Sequence, residues 1–468
     1  MHTEYGFGLA VKNPRIINSL EGESELKKSI RFICVLSLLL AVICSQASAL
    51  PSGYEVTDLN ALTGIPDILD VSASGTWVCG RTFAWSAETG LIKIGTLGRY
   101  NQVMAINDSG QVAGGSLTPN RKMHAFIWSP ESGITDLNPL SNDHSWATGI
   151  NNSGQAVGYS HTSGEPSQIF FWSPESGMID ICTLDSGSPQ VKNFAINDVG
   201  QVIFFSMSGS FLWTEEAGMQ DLSAIAGRRF RSRAINNAGQ IAGDVYEGSA
   251  RPAALLEPNG ELIILGLLPG CDSSEASAIN NRGQVVGRSW KLAPGISISK
   301  SFIWDPGTGM VDLNSLVALP AGFMLGSPSK IFDDGRIVCT MYTPNGYRKA
   351  LLTPVATQVQ IIVKNVINLK SKGNTPVAIL ASDTFDPSTV DPATVTLAGG
   401  QVFRMPNGRY LAAMNDVNRD GMKDLVLHII TQQMDLKPGN TKVVLEGSTF
   451  DGTKITGEAT VKVLPHNK

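Results

Sequence analysis

The chain has 468 residues, 42% hydrophobic and 16% charged, which is a globular composition with room for one large repeat domain and a smaller one. Its net charge of −5 makes it a poor candidate for sequence-independent nucleic-acid binding, which needs a basic surface. Glycine, at 48 residues with no collagen period, points to many tight turns.

The chain opens with an address. Residues 1–26 form a polar leader, and Lys27-Lys28-Ser29-Ile30-Arg31 then precedes the apolar run Phe32 to Cys44 and the small residues Ser45 to Ala49. That is the order of a secretory signal peptide, cut after Ala49. The run falls short of the roughly 20 residues a membrane helix needs. Residues 1–49 are therefore read as leader and signal, and the mature protein as secreted, periplasmic or extracellular, with no membrane span. Ile43, ahead of Cys44, is not the small residue of a lipoprotein site.

Residues 50–356 are a repeat array. The stretch Ile150-Asn151-Asn152-Ser153-Gly154-Gln155-Ala156-Val157-Gly158 recurs, with substitutions, from Ile106, Ile196, Ile235 and Ile279. Turn glycines at Gly75, Gly110, Gly154, Gly200, Gly239, Gly283 and Gly335 count seven units. A period near 44 residues suits a four-stranded propeller blade. One unit reads as strands Ser145 to Ile150, Gln155 to Ser160, Ile169 to Trp172 and Met178 to Leu184, the first two joined by an Asn-Asn-Ser-Gly turn. Tyr54 to Leu59 is a fourth strand with no unit before it, and the last unit stops at its third strand, Lys349 to Pro354. One orphan completes the other, so the expectation is a seven-bladed propeller closed by its N-terminal strand.

Repetition also sorts the side chains. Trp85, Trp128, Trp172, Trp213 and Trp304 share one strand position, which predicts wedges between blades rather than a sugar platform. Asp58, Asp136, Asp180, Asp221 and Asp312 share the fourth strand, where a charge discourages edge pairing. The hairpin Asn and Asp residues read as turn formers, and their period sets them around a ring rather than face to face as a glycosidase dyad would be. Four cysteines follow the signal, Cys79, Cys182, Cys271 and Cys339. Equivalent positions on neighbouring blades point in the same rotational sense, so Cys79 and Cys339 are expected to stay unbridged and buried. No Cys/His spacing suggests zinc.

The units resemble the extracellular HAF-repeat family, whose three letters stand at His124-Ala125-Phe126 and vary to Ile169-Phe170-Phe171 and Lys300-Ser301-Phe302. The likeness runs from about Tyr54 to Pro354. It implies an exported repeat protein and assigns no chemistry to any residue.

Of the two rims of such a ring, one carries monotonous turns. The other carries the second-to-third loops and the links between blades, and it varies. It collects Tyr100, His144, Trp146, His161, Arg228, Arg229, Arg231, Tyr246, Trp290 and Tyr342 as candidate ligand-binding residues. For each alone, an exposed loop side chain is the plainer reading. The run Arg228-Arg229-Phe230-Arg231 suits either an anionic ligand such as an acidic glycan or a solvated charge run.

Residues 357–468 leave the repeat. Val359 to Val363, Val377 to Leu380, Thr394 to Leu397, Leu425 to Ile430, Lys442 to Glu446 and Thr460 to Leu464 alternate or run apolar between turns, which suits a small β-sandwich. Within it Asp416, Asn418, Asp420 and Asp424 supply oxygen side chains at loop positions 1, 3, 5 and 9, with Gly421 at 6 and the Met422 carbonyl at 7. A calcium ion takes such oxygen ligands, and Asx turns alone would hold the loop otherwise. Arg419 and Lys423 lower the loop's negative charge. The region resembles a recurrent C-terminal module of secreted microbial proteins with an Asp-Val-Asn-x-Asp-Gly-x-x-Asp-Leu-Val signature.

No catalytic residues emerge. The expectation is a non-catalytic exported scaffold that recognises an extracellular ligand, glycan or surface component, through the variable rim. The alternative is a propeller hydrolase or lyase acting on an extracellular polysaccharide or ester.

Overall fold

Each blade begins from its turn. The computed structural model describes residues 50–464 except 52, 138–143, 163–165, 184–190, 192, 249, 294–295, 440 and 451, so the leader and signal segment and Leu184 lie outside the described residues. In the third unit the Asn151 N–H donates to the Gln155 carbonyl, the Gly154 N–H to the Asn151 carbonyl, and the Gln155 N–H to Asn151 Oδ1. Gly154 sits at φ 75°, the left-handed region that a side chain disfavours. Flanking this turn are strands His144–Ile150 and Ala156–His161, then Gln168–Ser173 and Gly177–Thr183, each antiparallel to the last.

Seven such four-stranded sheets are present among the described residues. Blade 1 opens with Ile68–Val71, blade 2 with Asn101–Ile106, blade 4 with Asn193–Ile196, blade 5 with Phe230–Ile235 and blade 6 with Ser273–Ile279. Blade 7 takes Met324–Ile331, Ile337–Thr343 and Gly346–Pro354 from the end of the array and Tyr54–Asp58 from its beginning. The register is Val56 opposite Leu352, Thr57 opposite Leu351 and Asp58 opposite Ala350. Leu59, expected in this strand, instead starts a short helix, because Asp58 Oδ1 accepts the Ala61 N–H and caps it. Asp221 and Asp312 cap helical turns in the same way. The fourth-strand aspartates thus have a local task beyond a protective charge.

A belt of asparagines ties blade to blade. Asn107 Nδ2 donates to the Asn151 carbonyl, Asn151 to Asn197, Asn197 to Asn236, Asn236 to Asn280 and Asn280 to Phe332, all at 2.9–3.0 Å. Each of the five also donates to the glutamine closing its own turn, Gln111 through Gln284. Blades 7 and 1 carry Phe332 and Ser72 at this position, and one ion pair with two hydrogen bonds to backbone carbonyls replaces the belt across their seam. Lys330 Nζ donates to Asp70 Oδ1 at 3.0 Å and to the Val71 carbonyl, and Arg336 Nη2 to the Ser74 carbonyl at 2.6 Å.

The tryptophans wedge between blades as their spacing predicts. Trp128 packs with Cys79, Ile94 and Val103, Trp213 with Val157, Ile169 and Phe171, and Trp304 with Ala242 and Leu255. A small residue on the second strand, glycine in blades 2, 3, 5 and 6 and Cys79 or Cys339 in blades 1 and 7, goes with a slip in the ladder. A Cβ on Gly158 would lie 1.9 Å from the Trp146 carbonyl and 2.7 Å from the Phe170 ring. Blade 4 has Phe204 there, and its ladder runs without the slip seen in the other six blades. Cys79 and Cys339 are buried and unbridged, and burial pushes both thiols up, Cys339 to about 12.

Beyond Pro354 a five-stranded and a four-stranded sheet enclose a second core, with Val377, Ile379, Leu427 and Ile429 from one sheet and Leu397, Val443, Leu445 and Ile455 from the other. The Lys442–Ser448 and Lys454–Thr460 hairpin brings Gly452 against the propeller, where a Cβ would lie 2.8 Å from Arg282 Nη1. The architecture is all-β: a seven-bladed propeller closed by its N-terminal strand, followed by a small β-sandwich.

Removal of residues 51–62 strips the last blade of its outer strand and bares the Gly346–Pro354 edge. The truncated chain should aggregate at concentrations where the parent stays monodisperse, as read by size-exclusion chromatography with light scattering.

Candidate functional site

The first strands line a central channel of about 400 Å³. At the end formed by the repeated turns, a second belt runs outside the asparagines. The Asp108 N–H donates to Asn152 Oδ1, Asn152 to Asp198, Asp198 to Asn237, Asn237 to Asn281 and Asn281 to Asp333. Asn152 Nδ2 bridges the Asp108 and Asp198 carboxylates at 2.9 and 3.4 Å. Residues read as turn formers are therefore also inter-blade ties, and this rim's carboxylates are engaged with one another's neighbours.

The opposite rim is where the repeats stop agreeing. On blade 3, His144 stacks on Trp146 at 5.9 Å, Trp146 on Tyr159 at 5.0 Å, and Tyr159 on Phe194 of blade 4 at 6.2 Å. Cross-strand pairing causes this, since Trp146 lies opposite Tyr159 and His144 opposite His161. Trp146 Nε1 donates to Gln102 Oε1 at 2.8 Å, the equivalent residue one blade back. Gly115 gives the ring room, because a Cβ there would sit 2.5 Å from it. His144 Nδ1 accepts the Met123 N–H, and His161 Nδ1 lies 3.3 Å from Ser167 Oγ.

On blades 5 and 6 the arginine run divides. Arg228 pairs with Glu247 at 2.6 Å, Arg229 lies 4.4 Å over the Tyr246 ring, Phe230 is buried, and Arg231 turns inward. Arg231 reaches Asp244 at 2.8 Å and Glu275 at 3.0 Å. Arg233 and Arg251 contact the same two acids, and Arg288 holds Glu275 at 2.8 Å. Trp290 and Tyr246 cover this cluster, with Arg288 5.0 Å over the indole and Arg251 5.2 Å over the phenol. The Asp244 side chain is fully buried, and burial outweighs the pull of Arg231 and Arg233 to push its carboxyl up to about 6. Burial also acts to raise Glu275, but Arg233, Arg288 and Arg231 together outweigh it and hold the group below the usual range.

The structure thus joins His144 and Trp146 into one stack beside His161, and Arg231, Tyr246 and Trp290 into one charged cluster flanked by Arg228 and Arg229. Tyr100 and Tyr342 stand exposed on blades 2 and 7. Tyr159, Arg233, Asp244, Arg251, Glu275 and Arg288 were not singled out from the sequence. A signal existed. Gly115, Tyr159, Phe205, Asp244, Arg288 and Thr340 occupy one second-strand position, and a column that varies so widely inside a repeating strand marks a position that the repeat itself does not fix.

In the C-terminal module the Asp416–Asp424 loop is held from within. Asp416 accepts the Asp420 and Gly421 N–H groups, Asn418 Oδ1 the Asp420 N–H, and Asp420 Oδ1 the Met422 N–H. Arg419 takes the left-handed φ of 65° that the loop requires. Asp424 is buried, with its two oxygens accepting the Ala381 and Val417 N–H groups at 2.9 and 2.8 Å. Among the described residues no three Asp, Glu, His or Cys side chains are grouped to hold a metal ion. Asp424 therefore reads as an inner brace of the loop.

No protein-family model matches the chain, and no curated protein matches it. Among solved structures it is similar to TolB from Acinetobacter baumannii, at 12% identity over 52% of this chain and 63% of that one, with a TM-score of 0.33. It is similar also to the propeller domain of the Trilobed protease from Pyrococcus furiosus, at 10% identity, 60% and 92% coverage and a TM-score of 0.39. A puromycin hydrolase matches at 12% identity, 71% and 62% coverage and a TM-score of 0.40. The chain spans less than two thirds of the TolB and of the hydrolase. The class, a closed seven-bladed propeller with an appended β-sandwich, rests on the sheets described above. No helix among the described residues is long and apolar enough to cross a membrane.

Asp244 is the keystone of the charged cluster. Asp244→Ala leaves Arg231, Arg233 and Arg251 facing one another, and should lower stability by about 3–5 kcal/mol in denaturant unfolding. Arg288→Ala, at the more open edge, should cost about 1 kcal/mol or less.

Proposed function

We propose that this protein is an exported, non-catalytic binding propeller that recognises an extracellular glycan or surface component through the arc of its variable rim from blade 3 to blade 6. The observation that carries the reading is the division of labour between rims. One rim's polar groups are engaged in ties between blades, whereas the other gathers stacked aromatic rings and arginines that break the repeat. A ladder such as His144-Trp146-Tyr159 offers flat apolar faces with polar edges, which suits a sugar ring.

The competing reading, a hydrolase or lyase, finds support in Asp244, whose carboxyl is raised toward the range of a general acid. Its complete burial beneath Arg231 keeps it from any substrate, and Glu275 is held by guanidinium donors that quench a base. Binding is the better fit. The HAF-repeat resemblance and the signal-like segment support export. The β-sandwich then serves as an accessory or attachment domain.

A glycan array probed with the mature protein should return a restricted set of saccharides. Trp146→Ala should weaken those hits by about tenfold, the loss of one stacking contact of about 1.4 kcal/mol, measured below the variant's own melting temperature where circular dichroism shows the propeller still folded. A wild-type protein that binds no saccharide, or turnover of a bound one, overturns the reading.

Calcium at the Asp416–Asp424 loop belongs to the same proposal, with Asp416, Asn418, Asp420 and the Met422 carbonyl as ligands and Asp424 as their support. Extracellular sites of this type hold the ion at about 10⁻⁴–10⁻³ M. Millimolar calcium should raise the melting temperature of the C-terminal module relative to chelator, and Asp420→Ala should abolish the rise. Superimposable curves with and without calcium make the loop an Asx-turn structure only.

A further inference from the structure

The cluster between blades 5 and 6 does not balance its charge. Arg231, Arg233, Arg251 and Arg288 converge on Asp244 and Glu275, four guanidiniums on two carboxylates. Ion pairs withdrawn from water are stable when charges and donors are matched, and an unmatched charge in such a place is strongly disfavoured. Donors are unmatched as well. The Nε–H groups of Arg233 and Arg251 are buried without a hydrogen-bond partner among the described residues. The surplus faces a space, for Arg233 lines the central channel and keeps a quarter of its side chain exposed there. Ser277, the equivalent of Arg233 one blade on, lines the same channel and brings no charge. Arg233 is the extra residue at the slip in this strand, and it turns to the channel wall while its guanidinium still reaches Glu275 beside Arg231.

We propose that these arginines form an oxyanion subsite that takes the carboxylate or sulfate of an acidic saccharide entering the channel from the variable rim. The inference rests on the rim-binding reading and gives its ligand a charge. Arg233 meets the anion through the part of its side chain exposed on the channel, Arg231 and Arg251 hold positive charge behind it against the two acids, and Arg288 forms the outer edge. Trp290 and Tyr246 lie against the guanidiniums, limit their hydration and fix their planes. The same chemistry would accept a free inorganic anion, so the source must be separated by experiment.

The test titrates the mature full chain with sodium sulfate, sodium glucuronate and a glucuronate-containing oligosaccharide, each against sodium chloride of equal ionic strength, reading melting temperature and heat of binding. Saturable binding of sulfate and glucuronate beyond the chloride control is expected, with the oligosaccharide at least about tenfold tighter than the monosaccharide. Arg233→Met should weaken all three by at least about tenfold. Ser277→Glu supplies the missing carboxylate in place, and should raise the melting temperature while abolishing the response to anions. That variant keeps the test decisive if Arg233→Met does not fold. No response beyond chloride, or an unchanged response in Ser277→Glu, overturns the subsite. If the array returns neutral saccharides that depend on Trp146 while sulfate and glucuronate do nothing, the subsite fails and the rim reading survives. Binding of sulfate and glucuronate with no gain for the oligosaccharide restricts the site to free anions and overturns the saccharide assignment.

Discussion

The asparagine at the end of the inner strand in blades 2 to 6 is the contact on which the ring depends. A primary amide offers two donors and an acceptor with two lone pairs, and here all are used. In Asn236, one N–H goes to Gln240 of its own turn and the other to the Asn280 carbonyl of the next blade, while Oδ1 accepts the Ala238 and Gln240 N–H groups. An aspartate lacks the donors, and a glutamine carries one methylene too many. The same side chain therefore sets the turn and the spacing between blades, which is why the turn sequence can vary so little.

Freedom on the opposite rim follows from that constraint. With blades tied at one end and wedged by Trp128, Trp213 and Trp304 through their middle, the loops at the other end carry no duty toward closure. Blade 4 shows how far this goes. Phe204 replaces the close-packed glycine, the ladder loses its slip, and Phe204 joins Phe194 and Phe211 in an aromatic run continuous with Trp146 and Tyr159. Blades 5 and 6 use the same inner positions for ionised groups. Burying Asp244 beneath three arginines is costly in isolation, and it persists where the arrangement has a use beyond stability.

The seam is the second place where the pattern changes. Blades 7 and 1 come from opposite ends of the array and lack the asparagine pair, and Lys330 with Asp70 and Arg336 with Ser74 stand in its place. The hairpin carrying Gly452 rests beside Arg282 and the Asp333 carbonyl, so the C-terminal module touches the ring close to where it closes. Its Asp416–Asp424 loop resembles a cation loop in spacing, yet each carboxylate already accepts backbone N–H groups.

The sequence by itself determined the blade count, the closing strand, the wedge role of the tryptophans and the unbridged state of Cys79 and Cys339. Those features repeat, and repetition turns a local pattern into a statement about symmetry. Only the tertiary structure decided which irregular residues meet. Arg231 and Glu275 are 44 positions apart, and Tyr159 and Phe194 lie on different blades. Nothing in their local sequence announces a partner. Contact between them is set by where blade packing places two inner strands, and ring closure rather than any motif brings four arginines around Asp244 and Glu275. For the same reason the asparagines read as turn residues until their amides are seen to reach the next blade.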